Sequence, residues 1–105
     1  MDKHSSGTNW PVEFKVVLGE TYYHKQGSIN PGTKVSEWLG GHEEKVTLIL
    51  GGKKLIRRIS RTANANGAVR IYVGRDILEF YQERYKFGDV AYFVIKPGNV
   101  IEWVR

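Results

Sequence analysis

The chain has 105 residues, of which 41% are hydrophobic and 26% charged, so it is long enough for one packed core, too short for two lobes around a cleft, and outside the disordered class. It contains no cysteine, which excludes a disulfide framework, a thiolate nucleophile and any sulfur-based zinc site, and points to a reducing compartment. The formal net charge is +5, and no stretch approaches the roughly 20 apolar residues of a membrane span.

Residues 1–9 are polar and lack an apolar signal-peptide core, and 1–12 read as a flexible tail, leaving 13–105 as the expected domain of a cytoplasmic, nucleoid-associated protein. From Glu13 onward Phe14, Val16 and Leu18 alternate with Lys15 and Val17, which predicts a strand interrupted at Gly19. Residues 20–30 mix polar and aromatic side chains and read as a structured loop feeding a short strand. Pro31-Gly32 signals a turn, and Val35, Trp38 and Leu39 fall at helical spacing over a turn or two before Gly40-Gly41.

Residues 45–50 predict a clear strand, closed by Gly51-Gly52, a pair suited to the positive φ of a hairpin turn. In the returning strand, residues 54–60, Leu55, Arg57 and Ile59 alternate with Ile56, Arg58 and Ser60. Either face carries an arginine, so periodicity leaves the buried face open. Asn64-Ala65-Asn66-Gly67 is the strongest turn in the chain, and residues 68–73 then form a strand with Val69, Ile71 and Val73 opposite Arg70 and Tyr72.

One longer helix is predicted over residues 76–86, opened by a capping-box-like pair, Asp76 and Glu79, and closed by Gly88 as a left-handed cap. Its apolar stripe is Ile77, Leu78, Tyr81 and Tyr85, with Phe80 beside it. Residues 90–95 and 100–104 form a closing hairpin whose Pro97-Gly98 suits the centre of a type II turn. About seven short strands and one or two short helices make this a mostly β barrel or sandwich.

The charge is unevenly placed. Between Lys53 and Arg75 lie seven cations and no acid, leaving nine cations against eleven acids elsewhere. A positive field confined to one segment suits a polyanion; a solvated basic face is the plain alternative.

Enzymatic patterns are thin. Glu13-Phe14-Lys15 and Glu43-Glu44-Lys45 supply the Glu-x-Lys half of a restriction-type nuclease site, but the aspartates are Asp2, Asp76 and Asp89, none between the tail and the helix. His4, His24 and His42 lack metal-ligand spacing, and no nucleophile turn or phosphate loop is present. The reading is a non-catalytic protein without metal, cofactor or small-molecule substrate.

Two segments carry more recognition chemistry than a connection needs. One runs from Tyr22 to Asn30, with Tyr23, His24, Lys25, Gln26 and Ser28 between; the other runs from Ser60 to Arg70, with Arg61, Thr62, Asn64 and Asn66. Arginine reads guanine bidentately, asparagine and glutamine read adenine, and hydroxyls anchor phosphates. By local chemistry alone, Asn66 and Gly67 read as turn formers, whereas Arg61 and Arg70 read as contacts.

The order of these features resembles a known family. The run from Tyr23 to Pro31 resembles the glycine-punctuated, His-containing stretch before an Ile-Pro strand in the effector domains of EcoRII-type restriction endonucleases, and occupies the place of the polar arm of plant B-three domains. Asn66-Gly67-Ala68-Val69-Arg70-Ile71 is similar to the Gly-x-x-Arg-Ile segment after the second arm of the restriction group. The helix, the Gly88-Asp89 step and the closing Ile101-Glu102-Trp103 resemble the B-three pattern. Leu55-Ile56-Arg57-Arg58 departs from the aromatic strand of the plant members.

The resemblance implies a seven-stranded open pseudobarrel that grips the major groove of double-stranded DNA with two arms. The N-terminal arm would be residues 22–30, carrying Tyr22, Tyr23, His24, Lys25, Gln26, Ser28 and Asn30. The C-terminal arm would be residues 58–70, carrying Arg58, Arg61, Thr62, Asn64, Asn66 and Arg70. The implied role is the recognition module of a prokaryotic restriction system, monomeric as an isolated domain. The alternatives are a protein-interaction domain for an acidic partner and a reader of single-stranded RNA or modified bases that stacks on Tyr22, Tyr23 and Tyr72.

Overall fold

The alternation beginning at residue 13 becomes a strand because it gives the chain one apolar edge. Phe14, Val16 and Leu18 are buried while Lys15 and Val17 face solvent. In the computed structural model, which describes residues 11–105, this first strand is β1, Val12–Val17. The residues expected to form a tail therefore lie mostly outside the described part, and Val12 already pairs with Ile95.

A π-helical turn, Glu20–Lys25, leads to β2, Ser28–Ile29, and then to a short helix α1, Thr33–Ser36. The hairpin of β3, Lys45–Leu50, and β4, Lys53–Ser60, closes through Gly51 at φ +64°. After β5, Arg70–Tyr72, come helix α2, Arg75–Arg84, and the closing strands β6, Val90–Lys96, and β7, Val100–Trp103. The strands join in the order β1-β6-β7-β3-β4-β5-β2. Every pairing is antiparallel except β3 with β7. The result is a mostly β fold whose sheet nearly closes into a barrel, with an unsealed seam. Since β1 and β2 end the strand order, the seam lies between them.

Register decides which face of β4 is buried. Leu55 sits opposite Leu48 and Arg57 opposite Val46, and directly paired residues share a face. Leu48 and Val46 are core residues, so Leu55, Arg57 and Ile59 turn inward. The inward arginine is neutralised at the start of α2: Arg57 Nε and Nη2 donate to the Val73 carbonyl at 3.4 Å, and Nη2 lies 3.2 Å from Asp76.

That pairing also corrects the expected capping box. Asp76 receives Arg57 and, at 3.2 Å, Lys53, while the N-cap of α2 is Gly74 at φ +91°, with no side-chain cap. The helix begins and ends earlier than its apolar stripe suggests. Ile77, Phe80 and Tyr81 are buried, Leu78 only partly. Phe80 meets Trp103 edge-on at 5.1 Å, and Tyr81 lies 6.5 Å from Phe93. Gly88 takes the left-handed conformation, at φ +93°, but serves the turn into β6: its N–H donates to the Leu18 carbonyl at 2.8 Å. Among the described residues no helix is long and apolar enough to cross a membrane.

Candidate nucleic-acid interface

Both polar segments are rooted on β5. Tyr72 and Ile71 pair with Ser28 and Ile29 of β2, while Ile71 and Arg70 pair with Ile59 and Ser60 of β4. The N-terminal segment therefore enters along one side of β5, and the loop from β4 leaves along the other. Because Ile71 points into the core, Arg70 and Tyr72 point out of it, and Tyr72 is 56% exposed.

Arg70 joins the two segments. Its Nε donates to Asn30 Oδ1 at 3.2 Å, its Nη2 to Asn64 Oδ1 at 3.1 Å and its Nη1 to the Tyr72 hydroxyl at 3.4 Å. The guanidinium carbon is 5.8 Å from the centre of the Tyr72 ring. Asn30 Nδ2 in turn donates to the Tyr22 hydroxyl, and Asn64 Nδ2 to the Ala68 carbonyl at 3.2 Å. Four residues expected from sequence as contacts, Tyr22, Asn30, Asn64 and Arg70, thus form one network with Tyr72.

The N-terminal arm is pinned to α2. The Tyr23 hydroxyl donates to the Tyr85 carbonyl at 2.7 Å, and Gln82 Nε2 donates to the Tyr23 carbonyl at 2.9 Å. His24 stacks on Phe87, with ring centres 5.4 Å apart and planes 17° apart. At the base of the arm, Val73 and Gly74 both donate N–H bonds to the Gly27 carbonyl, at 2.6 and 2.7 Å. Gly27 is required there, because a Cβ would lie 2.2 Å from the Gly74 oxygen.

Ser28 has to be withdrawn as a contact. It is fully buried in the β2–β5 ladder, and its hydroxyl donates to Gln26 Oε1 at 3.2 Å. Tyr23 is half-buried as an anchor of the arm, whereas His24 and Lys25 face solvent. Lys25 is 3.7 Å from Glu20, an exposed pair of little energetic weight.

In the C-terminal arm the structure separates two arginines that look alike in sequence. Arg61 turns inward: its Nη2 donates to the carbonyls of Ser36 at 2.7 Å, Leu39 at 3.0 Å and Gly40 at 2.8 Å, and its Nε to Gly40 at 3.1 Å. A cation on the carbonyls that follow a helix satisfies acceptors that have no intrahelical donor and meets the negative end of the helix dipole. Arg61, expected as a contact, is engaged here as a half-buried clamp on the end of α1. Its backbone N–H donates to His42 Nδ1 at 3.0 Å.

The other expected contacts in this arm divide in the same way. Arg58 faces solvent but donates to the Glu43 carbonyl at 2.9 Å. Asn66 accepts the Ala68 N–H at 3.0 Å, and Gly67, at φ +78°, donates to the Asn64 carbonyl at 3.0 Å, the turn role that local chemistry indicated. Thr62 is exposed.

Sequence reasoning missed Ser36. Buried in α1, it donates to the Gly32 carbonyl at 2.6 Å and accepts the Val69 N–H at 2.9 Å, while its carbonyl accepts from Arg61, so α1 is bolted to both ends of the arm. A serine in a helix carries no signal of such a distant partner.

The cationic run is also redistributed. Lys53 and Arg57 meet Asp76, Arg58 and Arg61 meet backbone carbonyls, and Arg70 meets two asparagines. Among the described residues, no cluster of three or more His, Asp or Glu is placed to hold a metal ion. No protein-family model matches the chain, and no curated protein is significantly similar to it.

Proposed function

We propose that this domain binds double-stranded DNA in a sequence-specific way, seating the duplex against the outer face of β4, β5 and β2 with one arm on each side. In this reading it is a B-three-like recognition module of a prokaryotic restriction system, and cleavage belongs to another part of a parent protein. The observation that carries the proposal is the position of Arg70. A guanidinium stands on an outward-facing strand between two polar arms, joined to both, beside an exposed tyrosine. An arginine so placed suits the O6 and N7 of a guanine, with His24, Lys25 and Thr62 exposed on the flanking arms for phosphates or neighbouring bases.

Other readings have less support. An acidic protein partner would be drawn by the same positive field, but it would not call for an outward-facing arginine set between two polar arms. Stacking of single-stranded bases would need open rings, and of the three tyrosines considered only Tyr72 is exposed; Tyr23 is held by Tyr85 and Tyr22 by Asn30.

The test is selection from a randomised duplex library, followed by a salt titration of the enriched site against its single strands. The expected result is one short motif, a preference for duplex, and an affinity that falls steeply between low and moderate salt. No enriched motif, or tighter binding of the single strands, overturns the proposal.

A further inference from the structure

Asn30 and Asn64 carry adenine-reading amides, but the structure spends both ends of each amide inside the protein. Their oxygens accept from Arg70, and their nitrogens donate to Tyr22 and to the Ala68 carbonyl. We infer that Asn30 and Asn64 are positioning residues, one from each arm, that orient Arg70 jointly and make the two arms a single reading device. The inference rests on the duplex-binding reading for its function, and on the network alone for its geometry.

Three features support it. The first is geometric. With Nε, one N–H of Nη1 and one of Nη2 engaged, a single N–H is left on each terminal nitrogen for a partner outside the domain. The second is electrostatic. Arg57, which has an internal role, is held by the carboxylate of Asp76, whereas Arg70 is held by neutral amides that leave its charge intact. An internal support gains from neutralisation; a group meant for an electronegative partner loses by it. The third is topological. Asn30 follows β2 and Asn64 lies in the loop after β4, so the orientation of Arg70 depends on both arms at once.

Binding of wild type and of R70A, N30A, N64A and N64D to the selected duplex, and to its single-base-pair variants, tests this. R70A is expected to lose discrimination at one base pair. N30A and N64A should each lose about tenfold at that same base pair, keep discrimination elsewhere, and show no further loss when combined, because they act through one group. N64D retains the acceptor and should keep the discrimination while binding every duplex more weakly. In NMR spectra of isotope-labelled free protein, the Arg70 Nε–H signal should be protected from exchange in wild type and N64D, and exposed in N30A.

The inference is overturned if either alanine variant changes preference at a different base pair, or weakens all duplexes evenly with the Arg70 signal intact. If the wild type selects no duplex, the proposed function fails while the exchange measurement still decides whether the clamp exists. Thermal unfolding of each variant confirms that the losses are not those of a partly unfolded domain.

Discussion

Arg61 and Arg70 are the same residue type at the two ends of one connection, just after β4 and at the start of β5, and the structure gives them opposite consequences on substitution. In Arg61→Ala, the carbonyls of Ser36, Leu39 and Gly40 lose a cationic donor held at 2.7 to 3.1 Å. A hydrogen bond to a charged group contributes about 1.5–3 kcal/mol net. Because Arg61 is half-buried, water can reach part of the vacated site, so the expected cost is about 2–4 kcal/mol rather than the full sum. For a domain of this size that corresponds to a fall in melting temperature of roughly 10–20 °C. Arg61→Lys should recover only part of it, since one ammonium cannot span three carbonyls. Urea and thermal unfolding measure the cost, and duplex binding at low temperature separates it from recognition. A melting temperature equal to that of wild type, combined with lost sequence preference, would refute the assignment of Arg61 to α1.

Other perturbations give equally distinct outcomes. Arg70→Ala should cost about 1–3 kcal/mol on the cognate duplex while changing folding stability by less than about 1 kcal/mol; equilibrium binding and unfolding on the same samples check both. Gly27→Ala forces a Cβ to within 2.2 Å of the Gly74 oxygen, so the arm must move off α2, and a loss of about 2 kcal/mol or more in unfolding experiments is expected. Tyr81 is buried, its hydroxyl has no hydrogen-bond partner among the described residues, and burial pushes its phenol far above the ordinary 10.0. Tyr81→Phe should therefore leave stability at neutral pH within about 1 kcal/mol of wild type, or raise it. The unfolded chain releases the Tyr81 proton above about pH 10 while the folded protein keeps it, so stability due to this group is present below that pH and declines above it. Unfolding midpoints across the alkaline range should fall more steeply for wild type than for Tyr81→Phe.

Local signals in the sequence carried the strands and turns well. The alternation around Phe14 and Val16, the Gly51-Gly52 hairpin and the closing hairpin through Gly98 each depend on neighbours a few residues away, and each forms. What depended on distant partners was not legible. The buried face of β4 was open until its register with β3 set it. Asp76 looked like a helix cap because its spacing to Glu79 is right, yet the inward Arg57 claims it from another strand.

The same limit governs the candidate site. Ser28 has the chemistry of a contact but is itself fully buried in the β2–β5 ladder, and Arg61 has the chemistry of a contact but faces carbonyls that the chain laid down some twenty residues earlier. Tyr22, Asn30, Asn64 and Arg70 were recognisable as polar and aromatic residues in excess of what loops need. That they share one network follows from β5 standing between β2 and β4, which no local pattern reveals.

Backbone amide shifts followed through a titration with the selected duplex test most directly whether both arms engage one ligand together. Saturable, concurrent perturbations at residues 22–30 and 61–72, with Arg70 and Tyr72 among the largest and the Gly51-Gly52 hairpin unmoved, are expected. Perturbations limited to one arm, or centred on the hairpin, would contradict the account.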